Sequence, residues 1–239
     1  MSQKSFHVMV IGGGLGGLCL AQGLRKAGIS VAVYERDRTH NERLQGYRIH
    51  IEAMGNRALH DCLPPHLFDA YIKTTGSAGT GLLMSDEQLN HLMEFAVDLT
   101  KQNNLLESSR SVSRITLRQV LLAELDDVIQ LDKCYSHYQE NADGSVTAFF
   151  ADGSSATGDL LVAADGGNSR VRQQFLPQAQ RVETGTVAIM GKVALTPRST
   201  HCSSLTSSIG QPLCLDPKDV ASSLPSTTSV ARPGSGSGA

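Results

Sequence analysis

Residues 8–35 read VMVIGGGLGGLCLAQGLRKAGISVAVYE, and the rest of the chain is ordered around them. Apolar Val8–Ile11 runs straight into Gly12, Gly14 and Gly17, in GxGxxG spacing. Leu18, Ala21 and Leu24 then share one face of a helix predicted from Leu15 to about Ala27. Gly28 stands where a C-cap glycine belongs, Val31–Tyr34 reads as a second buried strand, and Glu35 closes it. The unit is strand, tight turn, helix, strand, acid.

Each part has a physical task. Gly12 permits the sharp turn off the strand, Gly14 keeps side-chain atoms away from a pyrophosphate, and Gly17 lets helix and strand pack closely. The helix N-terminus offers free N–H groups and the positive end of its dipole to phosphates. Glu35 can accept hydrogen bonds from both ribose hydroxyls. Its charge would repel a 2′-phosphate, so the adenosine expected here belongs to FAD or NAD and not NADP. A bare GxGxxG also builds ordinary turns; here the strand, helix, C-cap and acid are all in register with it.

The 239 residues carry a formal charge of −2, enough chain for one or two soluble globular domains. That balance gives no electrostatic case for nucleic acid or an anionic membrane. No stretch is long and apolar enough to span a bilayer. Met1–Lys4 before Val8–Leu20 imitates a signal peptide, but the glycines that break the run have a better explanation. Five scattered cysteines, 19, 62, 134, 202 and 214, form no CxxC pair. The expectation is a reducing, cytoplasmic chain with no metal site, and Cys19 is most simply a small core residue.

After Glu35 comes a mixed-charge loop in which Arg36 could lie along the adenine edge. Gly46–Ile51 alternates like a half-buried strand, with Ile49 and Ile51 on one face and Arg48 and His50 on the other. His50 is most simply a surface or hydrogen-bonded histidine. Met54–His60 and Pro65–Lys73 look helical, the second with proline in its first turn. Leu82–Met84 is a short strand, and residues 85–110 are hard to read. Ser113–Leu125 is an amphipathic helix with Ile115, Leu121, Leu122 and Leu125 as its buried stripe and Arg118 near its start. Strands follow at Ile129–Leu131, Tyr135–Tyr138 and Val146–Phe150, with turns at Asn141–Gly144 and Asp152-Gly153. Asp165-Gly166 is different in kind. It follows the apolar strand Leu160–Ala164 and precedes a helix start near Asn168–Arg172. An acid and a flexible turn at the carboxyl end of a buried strand mark a nucleotide site in a parallel sheet.

Three segments in order now resemble a known family. They are GGGLGG leading to Glu35-Arg36, the helix ITLRQVLLAEL with Arg118, and LLVAADGGNSRVR after the hairpin FFADGSSATGD. Together the chain resembles, over about residues 6–195, the N-terminal half of the class A FAD-dependent aromatic hydroxylases with the para-hydroxybenzoate hydroxylase fold. The resemblance implies an α/β, Rossmann-like FAD-binding domain: a GxGxxG βαβ unit, a parallel sheet and a β-hairpin or meander. It implies that Gly12, Gly14 and Gly17 hold the FAD pyrophosphate and Glu35 the ribose. Arg118 approaches the phosphates and ribitol, and Arg48 lies where the chain passes the flavin side. Asp165 and Gly166 help hold FAD and are tied to NAD(P)H use, with Arg172 supporting that turn. The implied activity is monooxygenation with NAD(P)H and O2, hydroxylating or epoxidising a small aromatic or polyketide/terpenoid-like substrate, in secondary metabolism. No catalytic acid–base pair is implied.

The expected organisation is an FAD-binding domain over 1–175, interrupted around 64–110 by part of a substrate domain. Residues 176–196 begin the substrate-binding sheet, and 197–239 form a low-complexity, disordered tail. From Pro197 to Ala239 there is no aromatic residue and no glutamate, and Ser, Thr and Pro dominate. The family's third signature, a Gly-Asp-Ala turn closing over the ribityl chain, has no counterpart. A truncated or divergently spliced member is therefore expected, with apolar surface that needs a protein partner or lowers solubility. The alternatives are a catalytically inactive FAD/ADP-binding remnant and, more remotely, an NAD-binding dehydrogenase.

Overall fold

A computed structural model describes residues 5–39, 48–76, 81–85, 90–96, 104–183, 196 and 211–212; for 81–85, 94–96 and 211–212 only the backbone is described. Two compact units result, the first from residues 1–45, 57–74 and 115–181, the second from 46–56, 75–114 and 182–239.

The first unit is built on a four-stranded parallel sheet. β1 (His7–Ile11) lies between β2 (Ser30–Tyr34) and β11 (Leu160–Ala163), and β7 (Ile129–Gln130) flanks β2. Helix α1 (Leu15–Lys26) crosses from β1 to β2, as a parallel pair requires. It ends as expected: Gly28 takes φ +72, its N–H bonds to Arg25 O (2.9 Å), and the Ile29 N–H bonds to Leu24 O (2.9 Å). This pair of bonds is a Schellman motif. A second, antiparallel sheet forms from β8 (Tyr135–Glu140), β9 (Val146–Phe150) and β10 (Ser155–Gly158). Both Asp-Gly turns sit where expected, with Gly144 and Gly153 at φ +83.

The core follows from alternation along the strands. Met9, Ile11, Ala32 and Tyr34 pack against Tyr135, Ala148, Phe150 and Val171. Tyr34 stacks on Phe150 with ring centroids 4.8 Å apart. Val8, Val10 and Val33 point to the opposite face and are also buried, so β1 is apolar throughout. α2 (Ala53–Cys62) and α3 (Pro65–Thr74) form as predicted; in the first unit α3 buries Leu67, Phe68 and Tyr71.

Three local readings change. α4 spans Arg114–Leu122, shorter than predicted, and buries Leu117 and Leu121; Ile115 and Leu122 are only half-buried. Its last turn stops where Glu124 takes φ 63, which leaves Leu125 buried just beyond the helix. β11 is an edge strand, not a fully buried one: Leu160 is 46% exposed, and among the described residues no strand lies beyond it. A one-sided apolar run and a two-sided one look alike in sequence.

In the second unit β3 (Arg48–Ile51) pairs antiparallel with β6 (Arg110–Ser113), and β4 (Gly81–Ser85) with β5 (His91–Ala96). Of the predicted strand at Gly46–Ile51, Gly46 and Tyr47 lie outside the described residues. Of the tail expected over 197–239, Gln211–Pro212 is described, as β12, parallel to Leu82–Leu83 of β4; the remainder lies outside the described residues. No helix among the described residues is long and apolar enough to cross a membrane.

Candidate functional site

The glycine loop runs off β1 at the carboxyl edge of the parallel sheet, between the ends of β2 and β11. Gly12 N donates to Tyr34 O (2.9 Å), and Ala164 N donates to Ile11 O (2.8 Å), so both neighbouring strands grip the strand end. Gly12 takes φ +110, and a Cβ there would lie 2.5 Å from Ala164 O. A Cβ on Gly17 would lie 2.1 Å from Gly12 O and 3.1 Å from Ala164 Cβ. These two glycines are required by packing. Gly14 is different: it has φ −77, and a Cβ there would meet nothing within 4 Å. Its missing side chain leaves space open beside the helix N-terminus.

That N-terminus is bare. Gly14 is the N-cap of α1, no side chain caps it, and no acid lies in the first turn. Four N–H groups at a helix start need partners, and anions supply them well. On the β2 side, Glu35 is 8% exposed; its Oε2 accepts from Gly13 N (2.6 Å) and its Oε1 from Asp37 N (3.0 Å). The acid is thus locked against the loop, with lone pairs left for a further donor. Arg36, next in sequence, is exposed.

On the β11 side, Asp165 Oδ2 accepts from Arg170 N (2.7 Å) and, more weakly, from Val171 N (3.4 Å). It thereby caps α5 (Arg170–Phe175), with Ser169 Oγ accepting from Arg172 N (2.9 Å). Asp165 Oδ1 is buried and has no hydrogen-bond partner among the described residues. A buried, unpaired carboxylate oxygen is costly and marks a place where a ligand donor fits. Gly166 takes φ +80 and is exposed, with nothing near a would-be Cβ. Arg172 Nε is also buried and unpaired among the described residues.

Gly12, Gly14, Gly17, Glu35 and Asp165 are therefore brought to one edge of one sheet. Arg118 belongs to the same unit, half-buried in the second turn of α4. Arg48 belongs to the second unit, where its Nε donates to Ser111 Oγ (2.9 Å) and its Nη2 to Ser111 O (2.7 Å). His50, in the same strand, is exposed. Sequence reasoning missed two contributors. The Gly13 amide orients Glu35, and no residue type signals a backbone donor. Gln22, 2% exposed, donates through Nε2 to Leu121 O (2.9 Å) and Ala123 O (2.8 Å), closing the end of α4 onto α1. A glutamine beside the helix's apolar stripe was the only hint.

The donor set fits a dinucleotide. It offers an open helix N-terminus for a pyrophosphate, a fixed carboxylate for ribose hydroxyls, and an unpaired buried oxygen for a further hydroxyl or N–H. Among the described residues no group of three or more His, Cys, Asp or Glu could hold a metal ion.

Comparison with known proteins agrees with this geometry. Residues 10–71 match the NAD(P)-binding Rossmann-like domain family. The chain is 32% identical over 198 residues to the dual O-methyltransferase/FAD-dependent monooxygenase elcB of Phaeosphaeria nodorum, covering 80% of this chain and 21% of that protein. An FAD-containing monooxygenase from Photorhabdus luminescens superposes with TM-score 0.72 at 38% identity, over 83% of this chain and 49% of that one. Klebsiella pneumoniae HpxO, solved with FAD and uric acid, superposes with TM-score 0.62 at 29% identity, over 77% and 45%. The chain thus spans about a fifth of that curated relative and just under half of each of these solved structures. By sequence and by fold, the chain is similar to part of the FAD-dependent monooxygenases, the family whose N-terminal motifs it resembles.

Proposed function

We propose that this chain holds FAD for a monooxygenase that uses NAD(P)H and O2 to hydroxylate or epoxidise a small organic substrate. The observation that carries the reading is the bare N-terminus of α1 at Gly14, flanked by Glu35 and by the unpaired Asp165 Oδ1. In this reading Gly12, Gly14 and Gly17 shape the pyrophosphate cradle, and the α1 amides donate to its oxygens. Glu35, held by Gly13 and Asp37, accepts from the adenosine ribose, and Arg36 lies along the adenine. Arg118 would meet the phosphates and ribitol, and Asp165 and Gly166 would help hold FAD. Arg48 stands on the flavin side. FAD, when bound, supplies the redox chemistry and activation of O2; the protein binds it, orients it and excludes water. The substrate in this reading comes from secondary metabolism. The three free cysteines among the described residues, Cys19, Cys62 and Cys134, suit a cytoplasmic location.

The proposed domain arrangement is an FAD-binding domain over 1–175 interrupted around 64–110, the start of a substrate sheet over 176–196, and a tail over 197–239. A second reading, a protein that binds the ADP half of FAD without turnover, is favoured by the gathering of Gly12, Gly14, Gly17 and Glu35, the residues for pyrophosphate and ribose, at one edge of one sheet. The visible spectrum of the purified chain, followed by NADPH and NADH oxidation in air with and without added FAD, separates the two. Bound flavin with substrate-dependent oxidation and oxygenated product supports the monooxygenase. ADP-type binding that Glu35→Ala abolishes, with no bound flavin, supports the second reading. Absence of any adenine-dinucleotide binding would sink both.

A further inference from the structure

Cys19 lies in α1 and Cys62 at the end of α2, both within the first unit. Cys19, Gly23 and Lys26 recur at i, i+4 and i+7, so they form one stripe along α1. That stripe faces the last turn of α2. Cys62 Sγ lies where a Cβ on Gly23 would be only 2.9 Å away. Lys26 Nζ donates to the carbonyls on either side of Cys62, Asp61 O (2.8 Å) and Leu63 O (3.0 Å). Cys19 Sγ reaches Ala58 O at 4.0 Å, one turn before Cys62, and the two thiols are near enough to act on each other electrostatically. Both cysteines are free, and both residues are half-buried and not sealed in the core. The absence of a side chain at Gly23 lets the two helices come this close.

We propose that Cys19 and Cys62 are a reversible disulfide site, closed by hydrogen peroxide and reopened by thiol reductants, that ties α1 covalently to α2. Burial, then the neighbouring Cys62 thiol, pushes the Cys19 thiol up to about 12; in the proposed order Cys62 meets peroxide first and Cys19 resolves it. The Cys62 sulfur attacks one peroxide oxygen; an S–O bond forms, the O–O bond breaks, and one water leaves with the thiol proton. The Cys19 sulfur then attacks the Cys62 sulfenic acid, the S–S bond forms as S–O breaks, and the departing hydroxide takes the Cys19 proton as a second water. Overall, two thiols lose two electrons and two protons to one peroxide. The suppressed Cys19 thiolate makes closure slow at neutral pH and faster as pH rises.

The test uses the full chain and no flavin, so it is independent of the FAD reading. Folded protein is treated with hydrogen peroxide, alkylated, and digested with trypsin without reduction. The expected product joins Ser5–Arg25 to Ala58–Lys73, lighter than the two peptides by two hydrogens. It is lost on dithiothreitol treatment and absent in Cys62→Ser, while Cys134→Ser retains it. Recovery of both cysteines alkylated would overturn the proposal. So would Cys62 halting at a sulfinic acid, or an equal yield of the same cross-link in urea. Should Cys62→Ser fail to fold, the Cys134→Ser protein and the urea control still decide.

Discussion

A methyl group added at Gly14 meets no protein atom within 4 Å, whereas one at Gly17 lands 2.1 Å from Gly12 O. The two glycines therefore serve different ends, although the fingerprint weights them alike. Gly14→Ala loses only the preference for glycine over alanine at an N-cap, roughly 0.5–1 kcal/mol of stability. Under the proposed function it also places a carbon in the pyrophosphate cradle, so binding of FAD or ADP is expected to fall about tenfold. Gly17→Ala must move backbone, and a loss of about 3 kcal/mol or more is expected. Urea unfolding beside calorimetric titration with ADP checks both; equal stability losses in the two variants would refute this division. Glu35 makes the same point from the polar side. Its two backbone hydrogen bonds fix the carboxylate, so in the proposed FAD site reorganisation on binding a ribose would be small.

At the scale of elements, α1 is held from below by its own side chain. Gln22 serves two carbonyls at the end of α4, the helix that carries Arg118. Gln22→Leu keeps the bulk and leaves Leu121 O and Ala123 O unpaired, at an expected cost of about 1–3 kcal/mol. Chemical denaturation measures it, and a neutral result would mean water replaces the amide. The turn after β9 has its own pH dependence. Lys133 Nζ donates to Asp152 Oδ2 (2.6 Å), and Ser154 donates through N (2.9 Å) and Oγ (2.6 Å) to Asp152 Oδ1. The Lys133 bond first, then the Ser154 bonds, hold the carboxyl well below the usual carboxylate range. A depressed carboxylate stabilises the fold above its ordinary value of about 4, and that contribution is lost as pH falls through the lowered value. The urea midpoint of the wild type should therefore fall more steeply below about pH 4 than that of Asp152→Asn. Parallel acid limbs would show that the turn contributes nothing.

For the molecule as a whole, the β11 edge of the parallel sheet matters most. β11 pairs with β1 on one side, carries Leu160 at 46% exposure, and has no described strand on the other. Apolar edges of this kind recruit further strands. The isolated chain is expected to self-associate with rising concentration, and Leu160→Lys to reduce that association with an unchanged circular dichroism spectrum. Sedimentation velocity over a concentration series reads it directly; a monomer at every concentration would show the edge is covered.

Where the signal is local, the sequence alone determined the structure. The βαβ unit from His7 to Glu35, the Schellman end at Gly28, the Asp-Gly turns and the helices α2 and α3 all rest on residues within a few positions of one another. Periodicity, glycine with positive φ and proline at a helix start act over that range. The candidate site was legible to the same extent, as the glycines, Glu35 and Asp165, because loop and acids lie at strand ends that periodicity marks. Only the tertiary structure decided what depends on distant partners. It turned an apolar run into an edge strand, chose Leu117 over Ile115 for the core, gave Gln22 its two carbonyls, and set Cys19 beside Cys62. The β5 strand at His91–Ala96 was equally unreadable, since its pairing with β4 includes a register shift. Burial and pairing are properties of both surfaces that meet, and one segment's composition specifies only its own.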